Sequence, residues 1–304
     1  MITYITAAYG AFYLNVALKG LLFSFSKYNP DNKILAYVDR EPDWPVPANC
    51  EVIEIPRDIL KSIVDGDGSF FSRTSFKFSL MLEAYNYKNS GVCWIDSDSV
   101  VLANLDDYIN PKNVSVVPHG SCEDQELFDC GGGLEVEGKS FAIGGLFYVP
   151  EKADIELLIS MVEKRMSWPE DRGAYWFSDG EQCLINHLVQ AEISRVDWLS
   201  SDETAIFNWS FLEHRHPVPF DGGLAKIESR PEGFFVDGKK IAILMWTSLM
   251  LRRHFKQGFR SMDSMVAKKF RSDFYRLDND GVKAFLLQSA YLAYDYFDFD
   301  SLRN

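Results

Sequence analysis

A short apolar segment, Val92–Ile95, delivers two carboxylates, Asp96 and Asp98, to its C-terminal end. A strand that is apolar on both faces is typical of the centre of a parallel α/β sheet. Such sheets bind ligands at the carboxyl ends of their strands. Paired carboxylates there suit Mg²⁺ or Mn²⁺ carrying a diphosphate. Asp and Ser are also common in solvated turns, so the neighbouring segments must decide between the two interpretations.

The rest of the chain alternates between the periods of strands and helices. We predict strands at residues 2–6, 33–38, 51–55, 114–117, 141–149 and 241–246. We predict helices at residues 12–26, 73–87, 150–166 and 179–190, with further helical periodicity after residue 248. Strands that alternate with crossover helices indicate an α/β fold with a mostly parallel sheet and right-handed connections.

The charge of the chain restricts its partners. Lys and Arg total 31 and Asp and Glu total 44, which gives a net charge of −13. This charge repels nucleic acid and anionic membranes, so a bound phosphate must meet a local cation or a metal. The five cysteines are scattered without a metal-binding spacing. With no signal pattern and no run of roughly 18 apolar residues, we expect a cytoplasmic protein with no transmembrane segment.

The residues around the predicted strand ends match the needs of a nucleotide. Ala7 and Ala8 are small enough for the backbone to approach a base, and the ring of Tyr9 can stack on it. Asp39 follows the second strand, where an acid can bind ribose hydroxyls or stabilise a turn. Arg73 and Lys77 are four residues apart on one helix face and can point two cations at a diphosphate, although such pairs are often solvated.

Five segments occur in the order found in nucleotide-sugar glycosyltransferases of the GT-A fold, and they most closely resemble the glycogenin and galactosyltransferase-like group (family 8-like). The segments are Ile5–Tyr9, Arg73–Lys77, Trp94–Asp107, Ala142–Val149 and Asp179–Asn186. The resemblance implies a GT-A-like (Rossmann-like) catalytic domain at residues 1–247 and a C-terminal helical extension at 248–304. It also implies that the donor is bound by Ala7, Ala8, Tyr9, Asp39, Arg73, Lys77, Ser97, Gly144, Gly145 and Trp246.

The resemblance further implies a set of catalytic residues: Asp96, Asp98, Asp179, Glu181 and Gln182. The family has an Asp-Gln pair where this chain has Glu181-Gln182, with Asp179 two residues earlier. Either acid can take the role at the anomeric centre. A buried Glu can act as nucleophile, base or cation stabiliser, or it can simply favour the start of a helix.

The chain departs from the family at Met245, where the pattern has a histidine that binds the metal. A thioether is a poor ligand for a hard cation. We therefore expect Mn²⁺ or Mg²⁺ at Asp96 and Asp98, with three alternatives for the missing ligand. His214 or His216 replaces it, the two acids hold the metal weakly, or Arg252 and Arg253 take over the metal's charge. His214 and His216 also fit a surface loop before Pro217.

The resemblance therefore implies that this protein is a glycosyltransferase. It would move a sugar from a nucleotide-sugar donor, a UDP-sugar, to a saccharide or glycoconjugate acceptor, with retention of configuration. Three alternatives remain from the sequence. A haloacid-dehalogenase-like phosphatase would use Asp96 as its nucleophile, a sugar nucleotidyltransferase shares the architecture, and a sugar-nucleotide-binding protein could keep the fold without catalysis.

Overall fold

The computed structural model describes residues 2–10, 13–65, 75–121, 140–166, 181–199, 205–208, 227–231, 233–236 and 239–245. The chain divides into two compact units. The first unit comprises Met1–Gly10, Asp31–Asp96 and Asp106–Leu199. The second unit comprises Ala11–Pro30, Ser97–Leu105 and Ser200–Asn304. The boundary between them therefore falls inside the Asp-x-Asp motif, immediately after Asp96.

The elements are numbered in chain order. The strands are β1 Thr3–Ala8, β2 Ile34–Val38, β3 Cys50–Glu54, β4 Val92–Ile95, β5 Ser99–Val101, β6 Val114–Ser121, β7 Ser140–Val149, β8 Val196–Trp198, β9 Ala205–Asn208, β10 Ile227–Arg230, β11 Gly233–Val236 and β12 Lys239–Met245. The α-helices are α1 Lys19–Tyr28, α2 Arg57–Asp65, α3 Phe76–Lys88, α4 Lys152–Met166 and α5 Gln182–His187. Short π-helical segments, Tyr13–Leu18 and Leu188–Glu192, adjoin α1 and α5.

The first unit is built on a seven-stranded mixed sheet in the order β3-β2-β1-β4-β7-β6-β8. Strands β1 to β4 run parallel, and β8 runs parallel to β6. Strand β7 is antiparallel to both of its neighbours, β4 and β6. Strands β1, β2 and β4 are buried on both faces, as their apolar sequences predict. The α/β fold with a mostly parallel sheet is confirmed.

Helix α3 carries the chain across the sheet to β4. It packs against β1, β4 and α4 through a buried stripe that includes Phe78, Met81 and Ala84. It ends at Asn89, which adopts the left-handed conformation with φ of 51°. Asn is one of the few residues that tolerates this conformation at a helix end. The turn then leads into β4, so Lys77 on α3 and Asp96 after β4 belong to one rigid αβ connection.

Strand β7 extends beyond the end of β4, and Asn186 on α5 binds this extension. Ala142 lies opposite Pro118, which has no N–H to donate. Instead, the Asn186 amide donates to the Ala142 carbonyl at 2.8 Å and accepts from the Ala142 N–H at 2.7 Å. Buried backbone groups need such partners. This pair of bonds joins the last turn of α5 to the β7 extension.

The second unit contains a smaller sheet in the order β10-β11-β12-β5, with β9 also paired to β12. Strand β12 is antiparallel to β5 and parallel to β9. Helix α1 packs on β5, and the Ser24 hydroxyl accepts a hydrogen bond from the Val101 N–H at 3.1 Å. The backbone pairing of β12 with β5 sets Met245 opposite Ser99.

Most of the predicted elements correspond to observed ones, with ends that differ by a few residues. Helix α2 and strands β5, β8, β9, β10 and β11 were not predicted. Residues 246–304 are outside the described part of the chain, so the division at 247 and the helical extension stay predictions. Among the helices that the structure describes, none has the length and apolarity needed to cross a membrane.

Candidate functional site

A buried lysine lies at the centre of the candidate site in the first unit. Lys77 reaches from α3 to the end of β4, and its side chain is 4% exposed. Its ammonium donates to Asp96 Oδ1 at 3.3 Å, to the Gly144 carbonyl at 3.1 Å, and to Glu181 Oε1 in a short ion pair. An ammonium has three N–H donors. All three are directed at protein oxygens.

The two carboxylates keep this lysine charged. Burial by itself lowers the pKa of Lys77, but the attraction of Asp96 and Glu181 outweighs it, so the pKa lies above the ordinary value. Glu181 is as deeply buried as Lys77. The cluster thus sets two carboxyl groups and one ammonium at the end of a central strand.

Asp96 is held by a second donor. The indole N–H of Trp94 donates to Asp96 Oδ1 at 2.6 Å. Trp94 and Asp96 are two residues apart, so they project to the same side of the extended chain. The Asp96 N–H donates to the Gly145 carbonyl at 2.8 Å, which continues the pairing of β4 with β7. Both the backbone and the side chain of Asp96 are thereby fixed.

Gly144 gives Glu181 the room to reach the cluster. A Cβ at position 144 would overlap Glu181 Oε1 and would lie 3.2 Å from Gln182 Cγ. The Gly144 N–H donates to Gln182 Oε1 at 3.3 Å. The absence of a side chain at this position is therefore required by the neighbouring acid. The predicted contact of Gly144 and Gly145 with a sugar stays a prediction.

The predicted nucleotide residues gather at the ends of β1 and β2. These strands pair in parallel, with Ala8 opposite Val38, so Tyr9 and Asp39 follow neighbouring strand ends. Asp39 Oδ2 accepts from the Gly10 N–H at 3.0 Å and from Arg40 at 3.2 Å. Asp39 Oδ1 is buried and receives no hydrogen bond from the described residues. Asp39 therefore stabilises this loop, and its contact with ribose stays a prediction.

The second acid of the motif belongs to the second unit. Ser97 and Asp98 are both buried. The position that resembles the family's histidine, Met245, lies opposite Ser99, one residue after Asp98. Strand pairing therefore sets residue 245 beside the strand that follows Asp98.

The predicted metal ligands in the described ranges are carboxylates. Mg²⁺ is typically held by one or two carboxylates together with substrate phosphates rather than by a complete protein cage. Asp96 lies in the first unit and Asp98 in the second, and a metal held by both stays a prediction. Within the described ranges, no group of three or more His, Cys, Asp or Glu side chains could hold a metal ion.

Several predicted residues cannot be located. Five lie outside the described ranges: Arg73, Asp179, His214, His216 and Trp246. The sequence left open whether Asp179 or Glu181 takes the role at the anomeric centre. Glu181 pairs with Lys77 in the cluster, and its role stays a prediction. Sequence reasoning missed Trp94 and Asn186. The spacing of Trp94 from Asp96 was a usable signal, whereas nothing local pointed from Asn186 to Ala142.

The chain was compared with known proteins. It superposes on the crystal structure of a galactosyltransferase, LgtC, in complex with donor and acceptor sugar analogues. The match has a TM-score of 0.50 and 14% sequence identity, and it covers 91% of this chain and 96% of that chain. No protein-family model matches the sequence, and no curated protein matches it. The likeness confirms the GT-A fold that the motifs of this chain predicted.

Proposed function

We propose that this protein is a glycosyltransferase that moves a sugar from a UDP-sugar to a saccharide or glycoconjugate acceptor, with retention of configuration. The observation that carries the proposal is the cluster of the buried residues Lys77 and Glu181 with the half-buried Asp96 at the carboxyl end of β4. Ligands of open α/β sheets bind at such strand ends. A cluster of this kind requires an explanation because buried charges are costly.

The charge of the cluster suits the chemistry at an anomeric carbon. Glycosyl transfer passes through a state in which positive charge develops on the sugar. A buried, fixed carboxylate stabilises that charge more strongly than one in water. Glu181 takes this role as nucleophile or cation stabiliser, with Lys77 holding one of its oxygens. Gln182, the predicted Asp179, Gly144 and Gly145 complete the sugar site.

The diphosphate of the donor is proposed to bind through a metal ion and a cationic side chain. Asp96 and Asp98 would hold Mn²⁺ or Mg²⁺, which when bound neutralises charge on the departing phosphate. Because the three donors of Lys77 are already used within the protein, Arg73 is the better candidate for direct contact with the diphosphate. Ala7, Ala8, Tyr9 and Asp39 would bind the nucleoside, and Ser97 and Trp246 would add contacts to the donor.

Donor binding gives the first test. A thermal-shift screen should show that UDP and UDP-sugars raise the melting temperature in the presence of Mn²⁺, since a ligand that binds the folded state stabilises it. UDP-glucose, UDP-galactose, GDP and CMP form a suitable panel. The anomeric configuration of the product, read by NMR, tests retention. If no nucleotide in the panel stabilises the protein, the proposal is wrong.

Two substitutions test the proposed site. Asp98→Asn should abolish most binding of UDP with Mn²⁺, whereas Asp58→Asn, on the exposed first turn of α2, should not change it. Arg73→Ala should weaken UDP binding by roughly one to two orders of magnitude, which corresponds to the loss of one charge-assisted hydrogen bond. Wild-type turnover in Asp98→Asn would contradict the role proposed for Asp98. A phosphoryl group trapped on Asp96 would favour the phosphatase alternative instead.

A further inference from the structure

We propose that Trp94 is a positioning residue that aims the carboxylate of Asp96 at the donor, an inference that rests on the proposed glycosyltransferase function. The indole N–H donates to Asp96 Oδ1 at 2.6 Å. A hydrogen bond to an ionised acceptor is shorter and stronger than a neutral one. It ties the acid to the rigid strand β4 that precedes it.

The indole ring is itself immobilised. Trp94 is 2% exposed in the middle of the sheet, where it pairs with Ile5 on one side and Phe147 on the other. The ring of Phe76 meets it edge to face, with centroids 6.2 Å apart. The Lys77 ammonium lies 5.2 Å from its centroid. Because the ring cannot turn within this packing, its N–H has one fixed direction.

Both donors to the acid act on the same oxygen. Lys77 and Trp94 bind Asp96 Oδ1, and Asp96 Oδ2 receives no hydrogen bond from the residues that the structure describes. Two donors on one oxygen fix the rotation of the carboxylate about its last side-chain bond. Oδ2 is thus the oxygen presented to a ribose hydroxyl, a sugar hydroxyl or a cation. With Lys77 alone, at 3.3 Å, that orientation would be only loosely defined.

The test removes the N–H and keeps the shape. Replacing Trp94 by 3-benzothienylalanine substitutes sulfur for the indole N–H at nearly constant volume, and Trp94→Phe is the simpler companion variant. Trp198→Phe on β8 is the matched control, because Trp198 also packs against the core of the first unit. We expect both position-94 variants to lose about tenfold to a hundredfold in kcat/KM for UDP-sugar hydrolysis. The melting temperature of the benzothienyl variant should stay near the wild-type value.

A second measurement reads the hydrogen bond without a substrate. The indole N–H resonance of Trp94, assigned by its loss in Trp94→Phe, should move in Asp96→Asn and stay in place in Asp58→Asn. A benzothienyl variant with wild-type kcat/KM and tight UDP–Mn²⁺ binding would overturn the positioning role and leave the proposed function standing. An indole N–H resonance that does not move in Asp96→Asn would also overturn the positioning role. A wild-type protein that binds no nucleotide would remove the proposed function and this inference together.

Discussion

The two acids of the Asp-x-Asp motif occupy different regions of the molecule. Asp96 closes β4 in the first unit, where Lys77 and Trp94 bind one of its oxygens. Asp98 belongs to the second unit and precedes β5, whose partner strand β12 ends at Met245. The first region contains a paired cation and two carboxylates. In the second region, Met245 occupies the position at which the resemblance predicts a histidine.

This difference indicates which of the two acids is held in place by other side chains of the protein. The region around Asp96 is held by charge and hydrogen bonds that the protein supplies itself. For a cation, the region around Asp98 offers a carboxylate and a strand position occupied by a thioether, which is a poor ligand for a hard metal. We therefore expect substitutions near Asp96 to affect stability as well as activity, and substitutions near Asp98 to affect metal and donor binding.

The largest effect should follow from Lys77→Met. Removing the ammonium leaves Asp96 and Glu181 without their shared cation, and breaking a buried ion pair in this way costs about 3 to 5 kcal/mol. Urea unfolding of the purified protein measures the change in the free energy of unfolding. The control is Lys88→Met, because Lys88 pairs with Glu51 at the surface, 3.0 Å away, and such pairs contribute about 1 kcal/mol or less.

A double variant keeps the prediction testable if Lys77→Met alone does not fold. Adding Glu181→Gln to Lys77→Met removes the more deeply buried of the two unpaired acids and should recover part of the lost stability. A Lys77→Met protein as stable as Lys88→Met would show that the first region is not held by its charges. The contrast between the two regions would then be lost.

Gly144→Ala should have the next largest effect. The new methyl group overlaps Glu181 Oε1, so Glu181 must move away from Lys77. Overpacking of this kind costs about 1 to 3 kcal/mol, and donor turnover should fall with it. Gly91→Ala is the matched control, because its methyl group would overlap the Tyr148 hydroxyl, which is remote from the cluster. Equal losses of turnover in the two variants, at equal cost in stability, would contradict a specific role for Glu181.

The smallest effect is predicted for the second region. Met245→His restores a nitrogen ligand at the position opposite Ser99 and should tighten Mn²⁺ binding by about tenfold, roughly 1.4 kcal/mol. Calorimetric titration of Mn²⁺ in the presence of UDP measures it. Titration of His216→Ala in parallel tests whether His216 already supplies the third ligand. A large loss in His216→Ala, with no gain in Met245→His, would give that role to His216.

The sequence predicted the elements of the fold better than their partners. The apolar run of β4 and the stripe of α3 were readable because their periods are regular. The direction of β7 could not be predicted, because an apolar strand has the same pattern whether it runs parallel or antiparallel to its neighbours. The ion pair of Lys77 with Glu181 joins residues 104 positions apart, and no local signal links them. Helix α2 was missed because it is only nine residues long and begins directly after Pro56, two residues beyond the end of β3.

The reversed strand β7 also has a consequence for biosynthesis. During translation β4 emerges with one edge able to pair with β1, but its other partner ends about 54 residues later. At 5 to 20 residues per second, the ribosome needs about 3 to 11 s to supply that segment. Over this interval the apolar strand β4 has one unpaired edge, and an unpaired edge can pair with strands of other chains. Nascent chains that end between β4 and β7 should therefore depend most strongly on chaperones.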